Sequence, residues 1–385
     1  MFRPESDEDV QFRGTVADWL DQNIPASLRH VTFWPLPHDC MPWYKMLSEK
    51  GWIAPHWPMR YGGMNASPVR QVILMEEMAR AGAPDIPSQG LNHIGPILIK
   101  CGTESQRMRH LPLIRSGDAV WCQGYSEPGA GSDLASLRTK AVVEDGDLVI
   151  GGHKIWTTWG HHADWMFALV RTTACIPRQQ GITFVLIDMK TPGISCRPIR
   201  TIAGDHEFSE VFLDDVRVPL ENMVGEIDRG WAVATALLGE ERLRIGSPAI
   251  ALKALERLRR MVRAMPANSR HDELLADAEI EIETLIASYL SVAESLDQGD
   301  IVDSSYLKIL ATETVQKILD HLQEVAGEAG PIRHAVQTEF GLLDYSEMFL
   351  QSRRLTIYGG SNEVQRTIVA TKAVGLPTAR VRNER

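Results

Sequence analysis

The chain has 385 residues, 44% of them hydrophobic, and a formal net charge of -10. That length predicts two or three structural units, and the apolar share supports a sizeable core. The acidic balance excludes general nucleic-acid binding, which needs a basic face.

The first third carries helical spacing. Helices are predicted over Val10–Asn23, Trp43–Lys50 (closed by Gly51), Val69–Ala81, Ile94–Cys101 and Ser105–Ser116. Pro96 falls where a first helical turn tolerates it. The middle third changes period. Short β-branched or alternating runs at Ser136–Val143, Asp147–Ile150, Met166–Arg171, Ile182–Asp188, Ile199–Ile202 and Ser209–Val218 are separated by Gly and Asp turns. Such spacing predicts an antiparallel barrel or sandwich rather than a doubly wound parallel sheet. The last third is helical again: Gly230–Val262 (interrupted at Pro248), Asp272–Asp297, Ser304–Ala326, Asp344–Ile357 and Val364–Ala373. The expected class is therefore α+β in three units: an N-terminal helical domain over 1–118, a small β domain over 119–229 and a C-terminal helical bundle over 230–385.

The five cysteines, Cys40, Cys101, Cys122, Cys175 and Cys196, include no C-x-x-C pair. Neither a disulfide framework nor a zinc knuckle is expected. Met1–Gln11 lacks an apolar h-region, and no uncharged run reaches the ~18 residues of a membrane helix. The expectation is a cytoplasmic protein without membrane insertion. His161-His162 lacks a third ligand at metal spacing, so no metal is expected there.

Trp121–Asp133, WCQGYSEPGAGSD, is the most informative stretch. Pro128, Gly129 and Gly131 let the chain turn sharply, so main-chain N–H groups face a ligand, and Ser126 and Ser132 add hydroxyls. Glu127, before Pro128, suits a turn role. The third glycine of a G-x-G-x-x-G fingerprint is absent, so a Rossmann site is unsupported. Taken alone, the pattern fits an ordinary glycine turn as well as a polar ligand site. A second stretch, Gly152–Gly160 (GHKIWTTWG), puts Trp156 beside Thr157 and Thr158. An indole among hydroxyls suits a planar ring with polar edges, and equally a core tryptophan with satisfied threonines.

Together with Leu111–Gly117 (LPLIRSG), Phe208–Pro219 (FSEVFLDDVRVP), Glu241-Arg242-Leu243 and Thr356–Arg366 (TIYGGSNEVQR), these stretches resemble the acyl-CoA dehydrogenase family over nearly the whole chain. The resemblance implies FAD held along Gln123–Ser132. Gln123, Tyr125, Ser126, Gly131 and Ser132 would contact the cofactor, with Ser132 also near the substrate thioester. Trp156, Thr157 and Thr158 would pack on the flavin ring, Thr158 near its N5. Gln323, Gly327 and Glu363 match positions that contact the FAD of a neighbouring subunit, and Ser361 matches a cofactor-binding position. Arg242 and Gly360 match the substrate side.

The reaction implied is α,β-desaturation of an acyl-CoA, in which a carboxylate removes the α-proton and hydride passes to flavin N5. Many members carry that carboxylate in a Tyr-Glu-Gly motif. This chain has Tyr358-Gly359-Gly360, and glycine is no base. Other members place the glutamate on a bundle helix just before an arginine, which here is Glu241. Helical spacing puts Glu241 on the face of Leu237, Leu238 and Ile245, where desolvation raises a carboxylate pKa. The competing reading of Glu241 is a buried structural carboxylate paired with Arg242.

Two other motifs depart from the family pattern. In LQEVAGEAG, Ala326 replaces a glycine, and Ala264–Leu274 lacks the usual arginine-phenylalanine-glycine run. Some members work as paired homologous subunits, steroid side-chain dehydrogenases of actinobacteria among them. The expected assembly is a homo-oligomer or such a pair, with electron-transfer flavoprotein as acceptor. The alternatives are a non-catalytic partner subunit, or a flavin oxidase or monooxygenase on the same fold.

Overall fold

The computed structural model describes residues 5–31, 35–174, 177–235, 245–298, 300, 302–331, 336–338, 341–343 and 345–377. The N-terminal helices are α1 (Asp7–Asn23), α2 (Pro37–Lys50), α3 (Pro68–Arg80), α4 (Gly95–Cys101) and α5 (Glu104–Ser116). Their ends follow local chemistry. Ser6 and Ser67 cap α1 and α3 by accepting from Asp9 N and Arg70 N. Thr103 and Gln106 form a reciprocal capping box on α5, an arrangement of which the cap alone contributes about 1 kcal/mol. Gly51 and Gly117 close α2 and α5 at φ +81° and +78°, a region that costs other residues strain. Gln106 Nε2 also donates to Glu221 O (2.8 Å) and Met223 O (2.6 Å), which ties this helical unit to the β domain.

The β domain holds β1 (Trp121–Gly124), β2 (Lys140–Glu144), β3 (Asp147–Thr158), β4 (Trp165–Arg171), β5 (Ile182–Asp188), β6 (Ile194–Ile199) and β7 (Phe208–Pro219). They form one sheet in the order β1-β4-β2-β3-β7-β6, with β5 on β4. Most pairings are antiparallel, while β1 runs parallel to β4. β4 and β5 are buried almost end to end, which explains their continuous apolar runs.

Three strand boundaries differ from the pattern-based expectation, and among the helices α2 starts earlier, at Pro37 rather than Trp43. Ser136–Val143 is a strand only from Lys140, because Leu134–Ser136 is a tight helical turn. Asp147–Ile150 does not stop at Gly151-Gly152 but runs on to Thr158. Gly152 is required by a close approach, since a Cβ there would lie 2.5 Å from Thr139 Oγ1 and 2.7 Å from Thr139 Cα. The expected Ile199–Ile202 strand lies earlier, at Ile194–Ile199, where Pro198 is tolerated because β6 is the sheet edge.

The bundle begins with helical residues at 230–235 and continues as α6 (Ala249–Ala264), α7 (Ser269–Asp297), α8 (Ser305–Ala326), α9 (Tyr345–Ser352) and α10 (Asn362–Ile368), with a hairpin of β8 (Val336–Thr338) and β9 (Gly341–Leu343). Pro248 caps the start of α6, which is where the expected long helix is interrupted. One apolar cluster centres on α6–α8 and reaches Val72 and Ala79 of α3. A second joins the N-terminal helices to β4 and β5, and a third fills the opposite side of the sheet.

Candidate active site

The loop after β1 is shaped by a buried ion pair. Glu127 accepts from Arg138 N (2.6 Å), Thr139 N (2.8 Å) and Lys154 Nζ (2.8 Å). Lys154 is fully buried and also donates to Leu169 O (2.7 Å) and Tyr125 O (3.3 Å). Burial lowers the Lys154 pKa to about 8 against the pull of Glu127. Burial alone would raise the Glu127 carboxyl, but Lys154 and the two N–H donors outweigh it and hold it low. Glu127 therefore has the turn role expected of it. Lys154 carries no motif that marks it in the sequence. Its one local signal is a period of two that puts it on the side of buried Leu148 and Ile150, and His153 and the threonines that follow blur that period.

This pair fixes the two informative stretches side by side. Ile155 N donates to Ser126 O at 3.0 Å, so Gln123–Ser132 and the end of β3 share one surface. The β3–β7 register slips between Lys154 and Thr157. The slip throws Trp156 into the left-handed region at φ +60° and leaves the residue 57% exposed. An exposed indole on a strained backbone is costly without a use. Its one flank is covered by Phe208, perpendicular at 6.1 Å. Thr157 is fully buried, and its hydroxyl has no hydrogen-bond partner.

The glycines in the loop complete the fit. At Gly129 and Gly131 neither a positive φ nor a close neighbour demands glycine, for a Cβ there would meet nothing within 4 Å. The open space lies beside exposed Ser132 and part-exposed Gln123 and Ser126. Tyr125 is buried against Phe167 (5.8 Å) and Phe184 (6.3 Å) and anchors the loop from below. An exposed aromatic face, a bare glycine turn and an orphaned hydroxyl suit a planar, polar-edged dinucleotide such as FAD.

The turn Tyr358–Gly360 is held separately. Gly359 and Gly360 both have positive φ, +63° and +78°. Gln365 Nε2 donates to Gly359 O at 3.1 Å and would lie 2.5 Å from a Cβ on Gly360. Ser361 caps α10 by accepting from Val364 N, and Glu363 is exposed in its first turn. Between them, Asn362 is buried and its Oδ1 accepts from Lys308 Nζ (2.7 Å). Gln323 Nε2 donates to Tyr345 O (2.9 Å), and Gly327, at φ +58°, ends α8. No hydrogen bond or ion pair among the described residues joins Gln323, Gly327, Ser361 or Glu363 to the loop at 123–132. Glu241 and Arg242 lie outside the described residues. Among those described, no group of three His, Cys, Asp or Glu side chains is placed to hold a metal, and His161 Nδ1 pairs with Ser209 Oγ at 2.7 Å. No described helix is long and apolar enough to cross a membrane.

Comparison with known proteins gives three family models on the chain: the acyl-CoA dehydrogenase N-terminal domain over residues 6–118, middle domain over 122–216 and C-terminal domain over 228–374. Acyl-CoA dehydrogenase FadE34 of Mycobacterium tuberculosis is 37% identical over 86% of this chain, which spans only 45% of that longer protein. Acyl-CoA dehydrogenase IpdE1 of the same organism is 35% identical over 96% of this chain and 98% of its own length. Among solved structures, the Tcur3481-Tcur3483 steroid ACAD superposes with a TM-score of 0.86 at 31% identity, covering 98% of this chain and all of that one.

Proposed function

The chain belongs to the acyl-CoA dehydrogenase family, and from that premise we propose that it is an FAD-dependent enzyme that oxidises an acyl-CoA to the trans-2-enoyl-CoA. The observation that carries the cofactor assignment is the pairing of exposed Trp156 with the open Gly129–Gly131 turn on one surface. FAD, when bound, supplies the hydride acceptor. Gln123, Tyr125, Ser126, Gly131 and Ser132 would hold it along the loop, with Trp156, Thr157 and Thr158 on the ring. Fixed donors there act without reorganisation at the moment of reaction, which is where such groups contribute most.

Glu241 takes the α-proton in this reading, since the Gly359 position carries no carboxylate. Arg242 and Gly360 lie on the substrate side, with Ser132 near the thioester. Gln323, Gly327 and Glu363 would serve the FAD of a neighbouring subunit, in a homo-oligomer or in a pair with a homologous chain, and Ser361 would also contact the cofactor. Likeness to a steroid ACAD across 98% of the chain supports a bulky, ring-bearing acyl group as the first substrate class to test. Electron-transfer flavoprotein is the proposed acceptor.

Anaerobic titration tests this directly. The purified protein should be yellow, and a ring-bearing acyl-CoA should bleach its flavin absorbance. Colourless protein that takes up no added FAD would overturn the assignment and favour a non-catalytic subunit. Rapid oxygen consumption after reduction would favour an oxidase.

A further inference from the structure

The buried carboxylate of Glu207 takes no part in the function proposed above. It ends the connection between β6 and β7 and is 5% exposed. Its side chain meets the Arg354 guanidinium at 2.6 Å. Nearby, Gln351 Nε2 donates to Asp205 Oδ2 and to Glu347 Oε1, both at 3.1 Å. Two polar bridges thus fasten α9 and the turn after it onto the β6–β7 connection.

Both ends of this fastening lead into the site. On the sheet side, Trp159 N donates to Glu207 O at 2.7 Å, and Phe208 pairs with Thr158. The Phe208 ring flanks Trp156, and the Arg354 guanidinium lies 5.5 Å from the centroid of the same ring. On the bundle side, Ile357 N and Tyr358 N donate to Arg354 O at 2.9 and 3.0 Å. Arg354 therefore connects the Trp156–Thr158 platform to the turn at Tyr358–Gly360.

We propose that Glu207 and Arg354 are a positioning pair for the reaction: they set the separation between the Trp156–Thr158 platform and the Tyr358–Gly360 turn, and so the alignment of the acyl-CoA between them. What is aligned rests on the function proposed above; the clamp itself does not. A buried ion pair is a weak source of net stability, so holding two elements at a fixed separation is the better reason for its presence. Misplacement by about 1 Å is enough to cost a reaction two orders of magnitude.

The charge on Glu207 should also be visible. Burial raises its pKa to about 7, Arg354 opposes that rise, and Asp205 adds to it. Among the described residues, Arg354 and Asp205 are the charged groups facing it. The ionised, paired form is therefore populated above about pH 7 and lost below it.

Hydrogen exchange on flavin-free protein, corrected for the intrinsic pH dependence, tests the clamp. Protection of the 353–360 segment should fall in the wild type as pH drops through about 7. Glu207→Gln should show low protection at every pH. In the flavin-loaded enzyme, Glu207→Gln should lower kcat about tenfold, leave flavin content and the KM for acyl-CoA within about twofold, and remove the kcat limb near neutrality. Arg354→Lys, which keeps the charge, should retain that limb with a smaller loss, and it carries the test if Glu207→Gln does not fold. Wild-type exchange and wild-type kcat in both variants would overturn the proposal. Altered exchange with unchanged kcat would overturn it too, by reducing the pair to scaffold. A wild-type enzyme that no acyl-CoA reduces would sink the proposed function, while the flavin-free exchange would still decide the clamp.

Discussion

Glu127 and Lys154 show how much of the site depends on residues that never touch a ligand. Together they satisfy two backbone N–H groups and two carbonyls inside the fold. Removing one partner leaves the other charged, buried and unpaired, which costs about 3–5 kcal/mol. Lys154→Met should therefore lower the denaturation midpoint strongly, and a chemical unfolding curve checks it. The pH dependence has a definite sign. The Glu127 pKa is held below its ordinary value of 4.5. Its contribution is thus complete above pH 4.5 and is lost as the pH falls through the folded value. Glu127→Gln should flatten that part of the acid limb; an unchanged limb would refute the assignment. Sequence alone gave Glu127 its turn role through Pro128, because that signal is local. Lys154 was illegible, because a strand lysine looks solvent-facing until its partner 27 residues away is known.

At the scale of elements, glycines divide into two kinds. Gly360 sits at φ +78° against Gln365, so Gly360→Ala should cost about 1–3 kcal/mol in stability. Gly131 has neither constraint. Gly131→Ala should leave stability within about 0.5 kcal/mol of wild type yet weaken FAD retention, since the added methyl enters the open turn. Parallel measurement of melting and flavin content separates the two, and equal effects at both positions would contradict the distinction. The helices were legible because caps such as Thr103–Gln106 and Gly117 are written locally. The end of β3 was not. Gly151-Gly152 is a stop signal by composition, and only the close pass over Thr139 makes glycine part of the strand. The same extension supplies the bulge that exposes Trp156, so the feature most useful to function was the one local pattern obscured.

For the whole molecule, helices at both ends flank a sheet that presents the two informative stretches on one surface, as the resemblance implied. Domain order was legible because hydrophobic period changes twice along the chain. The clamp between Glu207 and Arg354 was not, since it joins residues far apart in sequence through a contact that only packing creates. The proposed reaction is dehydrogenation of an acyl-CoA with Glu241 as base. Anaerobic stopped-flow reduction of the flavin by a ring-bearing acyl-CoA, comparing wild type with Glu241→Gln, tests it most directly. The variant should bind FAD normally, bind the acyl-CoA, and have its flavin reduced at least about a hundredfold more slowly. Reduction of the variant at the wild-type rate would contradict it.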